Sequence, residues 1–145
     1  MTFTNPPDAQ LRDILVGSKT IAIVGASSNT ERTSHTIMAQ LLRAGYHVIP
    51  VNPKETEILG QKAYASLADI PEKVDIVDVF RKSEDTPPVA DEAVAIGAKV
   101  LWLQLGVTSD DAAARATQGG LTVIMDKCIG ATHHALHVGH KPDAS

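Results

Sequence analysis

What the sequence lacks limits the kinds of protein that it can form. It has a single cysteine, Cys128, in 145 residues, so a disulfide scaffold is excluded and a reducing compartment is compatible with the chain. No apolar run approaches the roughly 18 residues that cross a bilayer. The N-terminal stretch MTFTNPPDAQLRDIL has no basic segment followed by an apolar one, as a secretory signal would. We therefore expect a cytoplasmic protein that does not associate with membranes.

The chain also has no excess of basic residues. Its 13 lysines and arginines stand against 17 acidic residues, which gives a formal net charge of −4. A negative bulk charge does not favour binding to nucleic acid or to anionic membranes. Apolar residues make up 43% and charged residues 21%, and a chain of this length can bury a core as one domain. The composition predicts a single globular domain that binds neither nucleic acid nor membrane.

Short apolar runs alternate with helical patterns along the chain. Five runs predict strands that are covered on both faces: TIAIVGA, YHVIPV, VDIVDVF, KVLWLQLG and LTVIM. Helical patterns are found at residues 9–16, 33–44, 87–96 and 109–118. Crossovers of this kind favour a parallel sheet with helices on both faces. We predict an α/β fold with a doubly wound, Rossmann-like sheet of five parallel strands in one domain. Numbered along the chain, the strands have the predicted order 3-2-1-4-5.

The C-terminal segment DKCIGATHHALHVGHKPDAS has no clear periodicity. We expect the folded domain to span residues 1–130 and residues 131–145 to form an irregular tail. This segment contains His133, His134, His137 and His140, whose spacing would suit metal ligands on a helix. No cysteine or acidic pattern completes such a site, so we predict no metal site.

The loop after the first predicted strand has the composition of a phosphate-binding turn. In IAIVGASSNTERTSH, Gly25 permits a tight turn, and small polar residues occupy positions 27–30. The helix predicted from Thr33 offers free N–H groups and the positive end of its dipole. Arg32 and Ser34 add a positive charge and a hydroxyl group. This pattern favours a diphosphate ligand, and a polar turn that only caps the helix is the alternative.

The end of the second strand bears on which phosphate compound would bind. The loop has only Gly25 of the three glycines in G-x-G-x-x-G, and it does not match the phosphate loop G-x-x-x-x-G-K-[ST]. Dinucleotide sites for NAD have Asp or Glu after the second strand, where this chain has Asn52-Pro53-Lys54. A lysine there attracts phosphate, unless it is an ordinary surface residue. The pattern argues against NAD and leaves NADP or a 3′-phosphorylated nucleotide such as coenzyme A.

Several segments, taken together and in order, resemble a known family. They are VGAS, ERTS, GYHVIPVNPK, LADIPEKVDIVDVFR, AIGAKVLWLQLGV and GLTVIMDKC. This series resembles the small stand-alone CoA-binding proteins, which are similar to the CoA-binding domain of the succinyl-CoA synthetase alpha subunit. The resemblance extends from Lys19 to Cys128. It implies that coenzyme A or an acyl-CoA binds across the carboxyl edge of the sheet.

The resemblance also implies a set of cofactor-binding residues. Those of the diphosphate turn and the helix start are Gly25, Ser27, Ser28, Asn29, Thr30, Arg32 and Ser34. Those at the end of the second strand are Val51, Pro53 and Lys54. Those that border the nucleotide after the third strand are Val79, Phe80 and Arg81. Those that line the pantetheine path after the fourth strand are Leu103, Gln104 and Leu105.

The sequence contains no recognisable catalytic constellation. Asp75 and Asp78 lie three positions apart on one predicted strand, and an odd offset places their side chains on opposite faces. There is no nucleophile elbow, and the chain has no room for the domains that give the synthetase its chemistry. We therefore predict a binding module without catalytic apparatus, with a protein partner or a homodimer left open. The alternatives are an NADP-linked oxidoreductase-like domain and a redox or regulatory protein that carries CoA on Cys128 as a mixed disulfide.

Overall fold

Residues 3–140 are described by the structure, which is a computed structural model. The strands are β1 (Thr20–Val24), β2 (His47–Val51), β3 (Glu57–Ile58), β4 (Gln61–Lys62), β5 (Ile76–Val79), β6 (Val100–Leu103) and β7 (Thr122–Ile124). The helices are α1 (Asp8–Gly17), α2 (Thr33–Arg43), α3 (Thr86–Ala95), α4 (Asp110–Gln118) and α5 (Ile129–Ala135). Two short 3₁₀ turns lie at Leu67–Asp69 and Ser83–Asp85. Among residues 3–140, no helix combines the length and the apolar character needed to cross a membrane.

Five strands form one parallel sheet in the order β2-β1-β5-β6-β7, and β3 pairs with β4 in a separate antiparallel hairpin. The predicted class, a Rossmann-like α/β domain with five parallel strands, is confirmed. One placement in the predicted order needs correction, because β5, the third predicted strand, lies beside β1 and not outside β2. The position outside β2 is taken by a single parallel bridge from Val51 to Tyr64. With Tyr64 counted as the third strand, the order becomes 3-2-1-4-5-6, which contains the predicted 3-2-1-4-5 pattern.

Burial explains the position of β5. Every residue of this strand is buried, as expected for an interior strand with neighbours on both sides and helices on both faces. Tyr64 is only partly buried, which suits an edge position. The connection from residue 52 to residue 73 carries the chain from β2 across to the far side of β1.

Side chains alternate between two apolar layers, as the period of a strand requires. One face of the sheet packs against α3 and α4 and includes Ala22, Val24, Val77, Val79, Leu101 and Leu103. The other face packs against α1, α2 and α5 and includes Ile21, Ile23, Ile76, Trp102 and Ile124. The two layers bury every residue of the five-stranded sheet except Thr20, His47 and Thr122 at the strand starts, and polar loops meet at its carboxyl edge.

Local signals account for the helix ends. The hydroxyl of Ser109 accepts a hydrogen bond of 3.0 Å from the N–H of Ala112, so this residue caps α4. Helix α3 has proline in its first turn, where no intrahelical N–H is lost. Gly45 adopts a φ of 97° directly after Ala44, the C-cap of α2, and this left-handed conformation ends the helix.

The prediction of an irregular tail over residues 131–145 is wrong for residues 131–135, which belong to α5. This helix is stabilised by packing on α2, which no local periodicity reveals. The Gln40 side-chain amide donates a hydrogen bond of 2.9 Å to the carbonyl of Gly130. A Cβ at Gly130 would overlap the Gln40 side chain, so the glycine allows the close approach. Residues 141–145 of the predicted tail lie outside the described residues, and the domain boundary at residue 130 stays a prediction.

Candidate functional site

A cavity of about 570 Å³ opens at the carboxyl ends of β1 and β5. It lies where the chain leaves β1 for β2 on one side and returns as β5 on the other, the usual ligand position in such sheets. Its wall consists of Gly25, Ala26, Ser27, Glu31, Arg32, Thr33, Ser34, Asn52, Phe80 and Arg81. These residues come from the ends of three adjacent strands and from the start of α2.

Gly25 is the residue that lets β1 turn into this cavity. It has a φ of 88°, which disfavours any other residue, and a Cβ here would overlap the carbonyl oxygen of Phe80. Its N–H donates to the carbonyl of Val51 at 3.0 Å, and the N–H of Phe80 donates to the carbonyl of Val24 at 2.8 Å. The turn is therefore tied to both neighbouring strands.

Small polar side chains shape the loop that follows. The hydroxyl of Ser27 accepts a hydrogen bond of 3.0 Å from the N–H of Asn29, whose own side-chain oxygen accepts one of 2.9 Å from the N–H of Glu31. The N–H of Ser28 donates at 2.9 Å to the carboxylate of Glu55, a residue that the sequence did not bring to attention. A backbone donor of the predicted phosphate turn is thus already paired with an anion.

The start of α2 supplies the positive electrostatic potential of the cavity. Arg32 precedes the helix and makes no side-chain cap, and the first turn contains no acidic residue. The first N–H groups of a helix have no intrahelical partner, and they carry the positive end of its dipole. Arg32 and Arg81 both line the cavity, and Glu31 is the one carboxylate of its wall. The arrangement suits an anion with more than one negative charge.

The end of β2 contributes through Asn52 and not through the predicted lysine. The side-chain amide of Asn52 donates a hydrogen bond of 2.8 Å to the carbonyl of Ala26, and its oxygen accepts one of 2.9 Å from the N–H of Lys54. Asn52 therefore joins the β1 loop to the β2 turn. The side chain of Lys54 is exposed and outside the cavity wall.

A second cavity of about 480 Å³ continues along the same edge of the sheet. It shares Thr33, Phe80 and Arg81 with the first, and its other wall residues are Lys82, Gln104, Leu105, Val107 and Cys128. Gln104 is buried, and its side-chain oxygen accepts a hydrogen bond of 3.1 Å from the N–H of Ile129. Leu105 is 69% exposed, so an apolar side chain stands at the mouth of this cavity. The two cavities form one trough from β2 to β7.

The predicted site residues divide into two groups. Those that line the trough are Gly25, Ser27, Arg32, Ser34, Phe80, Arg81, Gln104 and Leu105. Those outside its wall are Ser28, Asn29, Thr30, Val51, Pro53, Lys54, Val79 and Leu103. Wall residues absent from the prediction are Ala26, Glu31, Thr33, Asn52, Lys82 and Val107. Asn52 precedes a proline at a strand end, which is a turn signal by which it could have been identified.

The two aspartates of the third predicted strand lie apart and have different environments. Asp78 on β5 is fully buried, and neither carboxylate oxygen has a hydrogen-bond partner among residues 3–140. Burial therefore raises its pKa well above the ordinary value. Partial burial alone would raise the pKa of Asp75 as well. Hydrogen bonds from the N–H groups of Lys19 and Thr20 and the charge of Lys99 outweigh that effect and lower it. The two carboxyl groups do not form a catalytic pair.

Comparisons with known proteins agree on one family. A family model described as a CoA binding domain matches residues 19–134 of the chain. The uncharacterized protein YneT of Bacillus subtilis (strain 168) is 46% identical over 129 residues, which are 89% of this chain and 96% of that protein. A hypothetical protein from Pyrococcus horikoshii OT3 has a solved structure with a TM-score of 0.89 and 40% identity. That match covers 94% of this chain and 99% of the other.

A longer relative places the same unit inside an enzyme subunit. The alpha subunit of the ADP-forming acetate–CoA ligase I of Pyrococcus furiosus is 34% identical over 95 residues. The match covers 61% of this chain but only 21% of the ligase subunit. The chain thus corresponds to about a fifth of that subunit, whereas it covers nearly all of the two small proteins.

Proposed function

Because the chain belongs to the CoA-binding domain family, we propose that it binds coenzyme A or an acyl-CoA in the trough at the carboxyl edge of its sheet. It acts as a binding module without a catalytic apparatus of its own. The observation that carries the proposal is the uncapped start of α2, which faces a cavity lined by Arg32 and Arg81 beside the Gly25 turn. Free backbone donors and two guanidinium groups match the two negative charges of a diphosphate.

In this proposal the diphosphate lies between the Gly25 turn and the first turn of α2. Ser34 lines the cavity from that first turn and is buried, so its hydroxyl is available at low cost in side-chain entropy. Asn52 supports the turn through the hydrogen bond that its side-chain amide donates to the Ala26 carbonyl. Lys54 lies at the rim of β2, where its ammonium group would attract a 3′-phosphate on the ribose.

The pantetheine arm would follow the second cavity toward β7. Leu105 and Val107 offer apolar surface to a flexible arm with few charges, and Gln104 is fixed by its bond to the Ile129 N–H. This direction would bring the thiol end of the ligand toward Cys128. The apolar and polar parts of the trough thus match the order of groups along a CoA molecule.

The activity named for the ligase relative is not part of this proposal. The chain spans about a fifth of that subunit, and a binding fold does not carry a reaction without its partner domains. The exposed Lys54 at the end of β2 is also compatible with a 2′-phosphate, so NADP is included as a competing ligand.

Isothermal titration calorimetry with CoA, dephospho-CoA, NADP and NAD tests the proposal. We expect CoA to bind, dephospho-CoA to bind more weakly because it lacks the phosphate opposite Lys54, and the dinucleotides not to bind. Arg32→Ala should weaken CoA binding about ten- to a hundredfold, since a charge-assisted hydrogen bond contributes about 1.5–3 kcal/mol.

Lys99→Ala is the matched control, because it removes an exposed cation at the amino end of β6, on the opposite edge of the sheet. It should leave the affinity for CoA unchanged. NADP binding in the absence of CoA binding would contradict the proposal. An Arg32→Ala variant with wild-type affinity would contradict the assigned diphosphate site.

A further inference from the structure

A third cavity, of about 450 Å³, lies on the face of the molecule that α2 and α5 cover, and not at the carboxyl edge of the sheet. It is formed by the second half of α2, by α5 and by the segment after α5. Its wall consists of Gln40, Arg43, Ala44, His133, His134, His137, Gly139 and His140. Four imidazoles and one guanidinium share this wall, and no carboxylate of residues 3–140 belongs to it. This cavity lies at the end of α2, and the proposed CoA site lies at the start of the same helix. The 11 residues of α2 span about 16 Å, which separates the two sites.

The wall of this cavity is anchored to the core. His133 is buried and its ring meets the Tyr46 ring edge-on, with 5.7 Å between the centroids. The Tyr46 hydroxyl donates a hydrogen bond of 2.5 Å to the carbonyl of Leu15. Arg12 on α1 donates one of 3.2 Å to the carbonyl of Leu136, directly before His137. Helix α1 and the Tyr46 ring therefore hold the histidine-bearing segment in place.

The composition of the wall decides between a cation and an anion. Within residues 3–140, no group of three or more His, Cys, Asp and Glu side chains is arranged to hold a metal ion. Imidazole N–H groups, a guanidinium and the Gln40 amide are hydrogen-bond donors, and Arg pairs with planar oxyanions through two parallel bonds. We propose that this cavity is a second ligand site, which binds a small multivalent oxyanion, either a phosphate or a polycarboxylate.

The affinity of this site should rise as the pH falls. His134, His137 and His140 are exposed at the cavity, and a histidine side chain becomes positively charged when it gains a proton. Among the described residues, the other charged group of the cavity wall is Arg43 from α2. Arg12 from α1 lies outside the wall and contacts the carbonyl of Leu136 beside it. Tyr46, which touches His133, stays neutral because burial raises its pKa to about 12. Each proton taken up by the wall adds positive charge that no carboxylate of the wall neutralises.

Nuclear magnetic resonance of the histidine rings tests this site directly. Inorganic phosphate and citrate are titrated separately into the full chain at about pH 6 and about pH 7.5, on either side of the ordinary imidazole pKa. We expect either anion to shift the ring signals of His134, His137 and His140. The dissociation constant should be several-fold lower at the acid pH, because each proton on the wall adds an attraction for the anion. The tighter of the two anions identifies the source as a phosphate or a polycarboxylate.

Variants locate the site and separate it from the proposed CoA site. Arg43→Gln and His134→Gln change exposed side chains, so both variants should fold normally. Each substitution should weaken the binding of the anion about tenfold. Lys99→Ala should have no effect. Ring signals that neither anion moves, or that Zn²⁺ moves while the anions do not, would overturn the inference. Failure of CoA to bind would leave it intact, because the readout comes from the histidines themselves.

Discussion

At the scale of single residues, Gly25 combines two requirements that only glycine meets. Its φ of 88° is a left-handed conformation, and a Cβ there would overlap the Phe80 carbonyl oxygen. We expect Gly25→Ala to lower the free energy of unfolding by about 1–3 kcal/mol and to abolish CoA binding, because the turn must move away from β5. Urea unfolding and calorimetry measure the two effects.

Gly120→Ala is the matched control for that substitution. Gly120 has a φ of 89°, close to that of Gly25, but a Cβ there would meet no atom within 4 Å. Its variant should lose only the conformational term of about 1 kcal/mol and keep CoA binding. Equal effects of the two substitutions on CoA binding would show that the close approach to Phe80 has no role in the site.

Asp78 predicts a pH dependence of stability at the same scale. Burial raises its folded-state pKa above the unfolded value of 3.8, so the folded state holds the proton more tightly. The free energy of unfolding should therefore fall as the pH rises from about 4 toward the folded pKa, by about 1.4 kcal/mol for each unit of difference. Asp78→Asn removes this slope and should gain stability relative to wild type between pH 4 and 7.

The control for Asp78 is the other aspartate of the same segment. The pKa of Asp75 is lowered, so its contribution to stability is present above the unfolded pKa and is lost as the pH falls through the folded one. Asp75→Asn should therefore be less stable than wild type at neutral pH and converge with it in acid. Urea unfolding at several pH values measures both variants. Parallel curves for wild type and Asp78→Asn would contradict the explanation.

At the scale of elements, the loop after β1 is tied to the segment after β2 by a carboxylate. Glu55 accepts the hydrogen bond of the Ser28 N–H, so it occupies a donor that the diphosphate turn would offer and adds a negative charge nearby. We expect Glu55→Gln to bind CoA several-fold more tightly, because the neutral side chain competes less with the ligand. Calorimetry measures the change, with Glu57→Gln on β3 as an exposed control. Weaker binding by Glu55→Gln would instead make Glu55 a support of the turn.

Elements could be predicted from the sequence where their signals are local. Continuous apolar runs identified the strands of the sheet, and Ser109 and Gly45 marked helix ends by their own backbone chemistry. The neighbour of β5 and the existence of α5 depend on contacts between distant segments. Helix α5 depends on the contact of Gly130 with α2. Considered without that contact, a glycine disfavours a helix.

The candidate site follows the same division. Gly25, Arg32 and Ser34 were found because the strand–turn–helix pattern itself points to the start of α2. Asn52 and Glu55 were missed because their roles depend on the β2 connection folding back onto the β1 loop. Lys54 was assigned by its position after β2, but its exposed side chain is not part of the cavity wall. Side-chain direction in a turn depends on hydrogen bonds between loops, which sequence spacing does not specify.

At the scale of the whole molecule, the charge is unevenly distributed. The chain has a net charge of −4, yet the trough walls include Arg32, Arg81 and Lys82. Net charge alone predicts repulsion of a polyanion such as CoA, so salt would strengthen binding. Local charge predicts attraction, so salt would weaken it. Screening acts over about 8–10 Å at physiological ionic strength, which makes the nearby cations dominate over distant acidic residues.

We therefore expect the affinity for CoA to fall as salt rises, despite the acidic composition of the chain. Calorimetry at about 0.01 M and about 1 M ionic strength, where the screening length shrinks from about 30 Å to about 3 Å, measures the slope. Dephospho-CoA should show a shallower slope, because it has one phosphate fewer to interact with Lys54. Arg32→Ala should also reduce the slope, whereas Lys99→Ala should not. An affinity that rises with salt would mean that the net charge of the chain, and not the cations of the trough, governs the approach of the ligand.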